Sequence, residues 1–140
     1  MKSILHTKKY KILNEIQKRD GMVVPFDEKR ITRAIFRAMQ SVKEGNEKDA
    51  EKVMHKVLDA LLVYKKENSI KKFRPTVEII QDVVENELIV SGFLATAKSY
   101  ILYRNERAQV RQKVGFVPEK VKELVAESKK YFKNPLSEFV

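Results

Sequence analysis

Apolar residues recur at helical spacing through most of the chain, which predicts a mainly helical fold. In residues 28–42, isoleucine, alanine, methionine and valine return every three or four positions, as on the buried stripe of an amphipathic helix. The same spacing recurs in residues 50–62, 76–91 and 94–103. The last of these patterns becomes strongly charged from Arg104 onward. We therefore predict four helices.

Two polar residues stand where helix caps are needed. Asp27 directly precedes the first predicted helix, and Thr76 follows Pro75 at the start of the third. Their side-chain oxygens can accept hydrogen bonds from first-turn amides, which have no partner inside the helix. Glu78 lies in the first turn of the third helix, where the helix dipole favours an acid. Local chemistry thus predicts where both helices begin.

The chain before the first helix predicts a short β-hairpin. One strand is expected near residues 11–18 and a second near residues 22–25, with Asp20-Gly21 between them. Asp-Gly between apolar runs is typical of a type I′ turn. Residues 69–74 are too short for a helix and are expected to add a third strand. The element order therefore indicates an α+β fold, mainly α, in which a small three-stranded sheet lies on a four-helix bundle.

Length and hydropathy predict one compact domain with appendages. A chain of 140 residues suits a single core. We place the domain at residues 12–113, a basic N-terminal extension at 1–11, and a linker or short helix at 114–140. No apolar run is long enough to cross a membrane and the first ten residues do not resemble a secretory signal, so a cytoplasmic location is expected.

Charge and cysteine content narrow the class of function. With 29 Lys and Arg against 19 Asp and Glu, the net charge of +10 predicts a polyanionic partner, either a nucleotide, a nucleic acid or an acidic protein surface. The chain has no cysteine, which excludes disulfides, thiolate metal sites and thiol chemistry. The two histidines do not form a metal-binding motif, and the usual phosphate-loop, dinucleotide and nucleophile motifs are missing. The sequence favours a binding module over an enzyme, with no structural metal.

The segment from Lys18 to Gly21 is the strongest candidate for anion binding. It places two cations beside a glycine turn, and Ile16 shares a strand face with Lys18. A lysine supplies a point charge and Arg19 a planar fork, a combination suited to a triphosphate. The alternative is a solvated basic hairpin tip, which the charge pattern alone favours slightly.

Five further positions have both a binding and a structural interpretation. The helix start at Asp27 offers free amides to an adenine edge or a phosphate. Arg30 and Arg33 lie three residues apart on that helix and could contact phosphate, or form an exposed basic face. Thr76 is expected first of all to cap its helix. Tyr103 could stack on a ligand, although an aromatic at helical spacing is more often part of the core.

Three stretches resemble the signature segments of the ATP-cone domain family. They are Ile-Gln-Lys-Arg-Asp-Gly-Met-Val-Val-Pro-Phe-Asp at 16–27, Pro-Thr-Val-Glu-Ile-Ile-Gln-Asp-Val-Val-Glu at 75–85, and Ala-Lys-Ser-Tyr-Ile-Leu-Tyr-Arg at 97–104. The resemblance covers roughly residues 12–107. It implies a four-helix bundle capped by a small three-stranded sheet. It also implies an allosteric ligand, ATP or dATP with Mg²⁺ as an accompanying ion, and control of ribonucleotide reductase activity.

The resemblance also assigns roles to individual residues. It implies a nucleotide site formed by Ile16, Lys18, Arg19, Gly21, Phe26, Asp27, Arg30, Thr76 and Tyr103. Within it, the backbone near Phe26 and Asp27 would meet the adenine. Val24 stands where the family often has a glutamate, so a base contact from that carboxylate is missing.

The C-terminal tail resembles the segment that leads into the catalytic barrel of a reductase large chain, which implies a fragment. The expected partners are therefore a reductase catalytic domain or subunit, and a second copy of the chain through cone contacts. Ribonucleotide reduction relies on cysteine radical chemistry, so a chain without cysteine cannot perform it. Two alternatives stay open: a solitary cone that regulates a separate enzyme in trans, and a basic helical protein that binds nucleic acid.

Overall fold

Two short strands and four helices make up the part of the chain that the structure describes. The computed structural model describes residues 9–115. In chain order the elements are β1 (Glu15–Gln17), β2 (Val23–Pro25), α1 (Glu28–Val42), α2 (Glu47–Glu67), α3 (Val77–Val90) and α4 (Leu94–Gly115). All four predicted helices and the predicted hairpin are confirmed. Most of the predicted basic extension and the tail after residue 115 lie outside the described residues.

A three-residue loop, rather than the predicted two-residue turn, closes the hairpin. The Lys18 amide donates to the Met22 carbonyl at 2.8 Å, and the Gly21 amide donates to the Lys18 carbonyl at 2.9 Å. Gly21 has a φ of +88°, whereas Asp20 is not among the residues with positive φ. A type I′ turn needs positive φ at both central residues, so that prediction is wrong. The loop is instead a β-turn followed by a left-handed glycine.

The sheet has two strands within residues 9–115, so the predicted third strand at residues 69–74 is wrong. The Ile70 amide donates to the Lys65 carbonyl at 3.1 Å, which shows that the chain is still closing the end of α2 at this point. The strand-like contact that does form lies further on. It is a single parallel bridge between Gln17 and Thr76.

Side-chain caps begin three of the helices. Asp27 accepts from a first-turn amide of α1 at 3.1 Å, and Thr76 from a first-turn amide of α3 at 3.2 Å, which confirms both predicted caps. At α2, Asn46 and Asp49 form a reciprocal capping box with bonds of 3.0 and 2.9 Å. The hydrophobic pattern did not predict this third cap.

α4 receives its cap from a distant segment. Phe93, the residue before the helix, accepts the first helical bond from Ala97 but has no polar side chain to cap with. Instead, one carboxylate oxygen of Glu44 accepts from the Thr96 amide at 2.9 Å and from the Thr96 hydroxyl at 2.7 Å. Thr96 is fully buried. The loop between α1 and α2 therefore stabilises the start of α4.

The apolar stripes of α1, α2 and α3 form the core, and α2 contacts both of the others. The fully buried large side chains include Leu13, Ile35, Met39, Leu58, Leu61, Val84 and Leu88. Each such side chain contributes about 1.5–3 kcal/mol through removal from water. Tyr64 on α2 stacks on Phe73 with ring centroids 5.7 Å apart. That stack fixes the segment between α2 and α3 onto the core.

The chain divides into two compact units, Met1–Ala97 and Lys98–Val140. The first contains the hairpin, α1 to α3 and the first turn of α4. The remainder of α4 belongs to the second. The assembly of four helices into one bundle capped by the sheet, and the domain limits at residues 12 and 113, stay predictions. No helix in the described range combines the length and apolarity that crossing a membrane requires.

Candidate functional site

The hairpin tip carries both of its predicted cations in the open. Lys18 and Arg19 are exposed, and a Cβ built on Gly21 would meet no atom within 4 Å. The Asp20 carboxylate accepts from the Met22 amide at 2.9 Å, so this acid fixes the turn. The tip therefore presents cationic side chains on a backbone whose shape the glycine and the aspartate hold.

A backbone junction brings the start of α3 against β1. The Gln17 amide donates to the Pro75 carbonyl at 3.0 Å, and Gln17 bridges Thr76. Thr76 therefore lies beside the hairpin although it is distant in sequence. Its hydroxyl oxygen accepts from the Ile79 amide, which confirms the capping interpretation. The remaining first-turn amides of α3 have no partner inside the helix, as at any helix N-terminus, and they belong to the end of α3 that meets β1.

Arg19 does not point freely into solvent but reaches across to α3. Its Nε donates to Glu78 Oε1 at 2.7 Å, and its Nη2 donates to Gln81 Oε1 at 3.2 Å. About half of the Glu78 side chain remains exposed, at 51%, and 36% of the Arg19 side chain. Sequence reasoning did not anticipate either acceptor, because no local pattern relates a hairpin tip to a helix so far along the chain.

A second helix start lies directly after β2. Asp27 caps α1 through the Lys29 amide, and its other carboxylate oxygen lies 3.7 Å from Arg33 Nη2. Arg33 is therefore an exposed side chain beside the cap, as its structural interpretation predicted. Arg30 is also exposed, and its amide donates to the Asp27 carbonyl at 3.2 Å. Glu28 is 4% exposed and places a buried acid in the same helical turn.

The backbone near Phe26 is partly committed to the fold. Phe26 is 7% exposed, and its amide donates to the Asn14 carbonyl at 3.0 Å. An adenine at this position would therefore have to use the Phe26 carbonyl or the Asp27 amide. Ile16 is half-buried on β1 and pairs with Val24 across the hairpin. Ile16 and Val24 thus give the hairpin an apolar surface, and the polar start of α1 follows directly after β2.

Tyr103 lies on the part of α4 that belongs to the second unit, and it is 59% exposed. The alternative prediction, that Tyr103 is part of the core, is therefore wrong. Its membership of the site stays a prediction. The other eight predicted residues all belong to the first unit, on the hairpin, at its junction with α1, or at the start of α3.

A cluster of titratable groups that joins the segment before β1 to α2 lies apart from the predicted site. The Tyr10 hydroxyl donates to Asp59 Oδ1 at 2.6 Å, and Lys9 Nζ lies 2.9 Å from the same oxygen. Burial opposes ionisation of Asp59, but the hydrogen bond from Tyr10 and the bond from Lys9 outweigh it and hold the pKa of Asp59 below its ordinary value. Burial, together with the hydrogen bond to Asp59, raises the pKa of Tyr10.

That cluster has a structural role. The ring of His55 packs edge-on against Tyr10 with centroids 6.5 Å apart. Together with the bonds to Asp59, this contact attaches the segment before β1 to α2. His55 thus takes part in packing.

Among residues 9–115, two concavities lie apart from the nine predicted residues. A groove of about 510 Å³ lies between α2 and α3, with Val63, Tyr64 and Val83 in its lining. A second concavity of about 310 Å³ is lined by Glu15 and by residues 71–74, including two exposed lysines. Neither contains a predicted site residue. The predicted residues of the first unit lie on a surface formed by the hairpin and two helix starts.

Comparison with known proteins agrees with the resemblance seen in the sequence. The family described as the ATP cone domain matches residues 14–109. The vitamin B12-dependent ribonucleoside-diphosphate reductase of Thermoplasma acidophilum is 47% identical over an alignment of 106 residues, which covers 72% of this chain and 13% of that protein.

Two further relatives show the same pattern. The ribonucleoside-diphosphate reductase subunit alpha of Chlamydia pneumoniae is 36% identical over 69% of this chain and 10% of its own length. The anaerobic ribonucleoside-triphosphate reductase of Escherichia coli is 30% identical over 81% of this chain and 15% of its own length. The chain thus spans only a small part of each of these relatives.

Proposed function

The chain belongs to the ATP cone domain family, and from this premise we propose that it binds ATP or dATP and thereby regulates a ribonucleotide reductase. Domains of this family are regulatory nucleotide-binding domains rather than catalytic ones. The proposal goes further in naming the adenine nucleotide, the surface that receives it and the enzyme that responds.

The junction between β1 and α3 carries the proposal. Because the Gln17 amide donates to the Pro75 carbonyl and Gln17 bridges Thr76, the start of α3 lies beside the strand that leads into Lys18 and Arg19. α1 begins directly after the other strand of the same hairpin. The N-terminus of α3, which carries partial positive charge, therefore lies near the cations of the tip, and the N-terminus of α1 lies at the open end of the same hairpin. A polyanion with an adenine at one end suits such a surface.

Each predicted residue has a role in this arrangement. Lys18 acts as a point charge on the phosphates, Arg19 as a planar fork, and Arg30 approaches from α1. The apolar face of Ile16, with the Phe26 carbonyl and the Asp27 amide, would receive the adenine. Gly21 keeps the tip open. Thr76 orders the amides at the start of α3, and the role of Tyr103 rests on the family resemblance alone.

Magnesium would accompany the nucleotide rather than be held by the chain. Within residues 9–115, no group of three or more His, Asp or Glu side chains is arranged to hold a metal ion. Mg²⁺ is commonly bound by phosphates and water with one or two carboxylates. The phosphates of a bound nucleotide would supply the oxygen ligands.

The proposed partner is the catalytic part of a reductase. The chain spans 10–15% of the relatives described above and has no cysteine, so the reduction is assigned to a domain or subunit outside it. Regulation would follow if the nucleotide changes how the cone associates with that partner or with a second copy of itself. Linkage requires the partner to change nucleotide affinity by the same factor.

Calorimetric titration of the 140-residue chain with ATP, dATP and GTP tests the proposal. We expect saturable binding of the adenine nucleotides, weaker binding of GTP, and at least a tenfold loss of affinity in the double variant Lys18→Ala with Arg19→Ala, since each phosphate contact to a charged group contributes about 1.5 kcal/mol or more. The matched control is Lys71→Ala with Lys72→Ala. It removes the same charge from the separate 310 Å³ concavity and is expected to retain wild-type affinity.

Three results would contradict the proposal. The first is the absence of saturable adenine nucleotide binding by the wild-type chain. The second is an equal loss of affinity in both double variants, which would indicate general charge attraction. The third is binding of DNA or RNA that saturates at physiological salt, which would favour the nucleic-acid alternative.

A further inference from the structure

The Arg19 side chain connects the hairpin tip to the first two turns of α3. Glu78 accepts from Nε and Gln81 accepts from Nη2. These two acceptors are three residues apart and hence neighbours on one helix face. Nε and Nη2 form one edge of the guanidinium, and such an edge can hold a phosphate or a carboxylate through two parallel bonds. In this structure, Glu78 and Gln81 therefore occupy that edge of the Arg19 guanidinium.

We propose that Glu78, assisted by Gln81, competes with the phosphates of a bound nucleotide for the Arg19 guanidinium. When the nucleotide binds, its phosphates replace Glu78 and Gln81, and the direct side-chain link between the hairpin tip and α3 is broken. This inference rests on the proposed function, because it concerns the same site. It identifies Glu78 as a residue that weakens nucleotide binding, and it links nucleotide binding to the contact between the hairpin tip and α3.

The energetics allow the exchange. Both partners of the ion pair are well exposed, and exposed pairs of this kind contribute little net stability. A triphosphate carries several negative charges and can also contact Lys18, so it outcompetes a single carboxylate. The Glu78 carboxylate keeps its place at the start of α3, where the helix dipole favours it. The exchange therefore leaves neither charge buried and unpaired.

The exchange would act on the tip alone. The backbone bond from Gln17 to Pro75 lies below the tip and does not involve Arg19. The junction of β1 with α3 therefore persists while the loop at residues 19–21 loses its direct side-chain link to α3. Nucleotide binding thus exchanges that link for contacts through the phosphates, a change that a partner could sense.

Calorimetry on the full chain provides the test, with ATP as the probe. We expect Glu78→Gln to tighten ATP binding about two- to fivefold, the range set by an exposed ion pair. Gln81→Met, which leaves the charge unchanged, is expected to tighten it by a smaller factor. The matched control is Glu15→Gln, which removes one carboxylate from the same hairpin but one that pairs with Arg74 at 3.1 Å. Its ATP affinity is expected to stay within twofold of wild type.

A double-mutant cycle separates competition for Arg19 from simple removal of negative charge. In an Arg19→Ala background, Glu78→Gln is expected to leave ATP affinity unchanged. If the variant still tightens binding there by the same factor, the carboxylate acts through its general field and the inference is wrong.

The Arg19 side-chain resonance supplies a direct readout. In ¹⁵N NMR spectra, saturating ATP is expected to shift the Nε–Hε signal of the wild-type chain as Glu78 is replaced. An unshifted signal at saturation overturns the inference. No saturable ATP binding by wild type overturns the proposed function, whereas wild-type binding with equal affinity in Glu78→Gln overturns only the competition.

Discussion

Replacing Glu44 by alanine removes the group that caps α4. One Glu44 oxygen accepts from both the amide and the hydroxyl of Thr96, which is fully buried. Phe93 cannot substitute, because its side chain has no acceptor. In the variant, the Thr96 amide and the Thr96 hydroxyl both lose their acceptor, so the first turn of α4 loses its cap.

The magnitude follows from those two bonds. A hydrogen bond to a charged acceptor contributes about 1.5–3 kcal/mol net. Since Glu44 is half-buried and both bonds share one oxygen, we expect Glu44→Ala to lower the free energy of unfolding by about 2–3 kcal/mol. Urea denaturation followed by circular dichroism measures the loss. The midpoint is expected to fall by roughly 1 M, given slopes of about 1–3 kcal/mol per M.

Two variants control the interpretation. Glu44→Gln keeps an acceptor without the charge and is expected to retain about half of the stabilisation. Thr96→Val removes the hydroxyl while keeping the shape, and the double variant should show that the two effects are not additive. A loss below about 0.5 kcal/mol in Glu44→Ala, or full additivity with Thr96→Val, would refute the capping argument.

Two further predictions concern backbone strain and pH. Gly45→Ala is expected to cost more stability than Gly21→Ala, because both glycines have positive φ but an added Cβ at Gly45 would lie 2.8 Å from Met39 Sδ; equal midpoints in urea would contradict this. The lowered pKa of Asp59 stabilises the fold fully above the unfolded value near 3.8, and this contribution is lost as the pH falls through the lower folded value. The melting temperature between roughly pH 5 and pH 2 should therefore fall more steeply in wild type than in Asp59→Asn. Parallel curves would show that the hydrogen bond from Tyr10 does not couple protonation of Asp59 to unfolding.

The sequence alone determined the elements whose signals are local. Helix periodicity depends on residues three and four positions apart, and caps such as Asp27 and Thr76 act on amides within their own first turn. The family also follows from sequence, since its three signatures are contiguous runs. Even the hairpin was predictable, because glycine at residue 21 supplies the positive φ that its loop requires.

Only the tertiary structure decided what depends on the relative placement of distant segments. Residues 69–74 do not form a strand, and at their start the Ile70 amide still donates to the Lys65 carbonyl at the end of α2. The bridge between Gln17 and Thr76 assembles the candidate site from parts that no spacing rule relates. The pairing of Arg19 with Glu78 is equally non-local, because a charged side chain takes whichever partner the packing of the helices brings within reach.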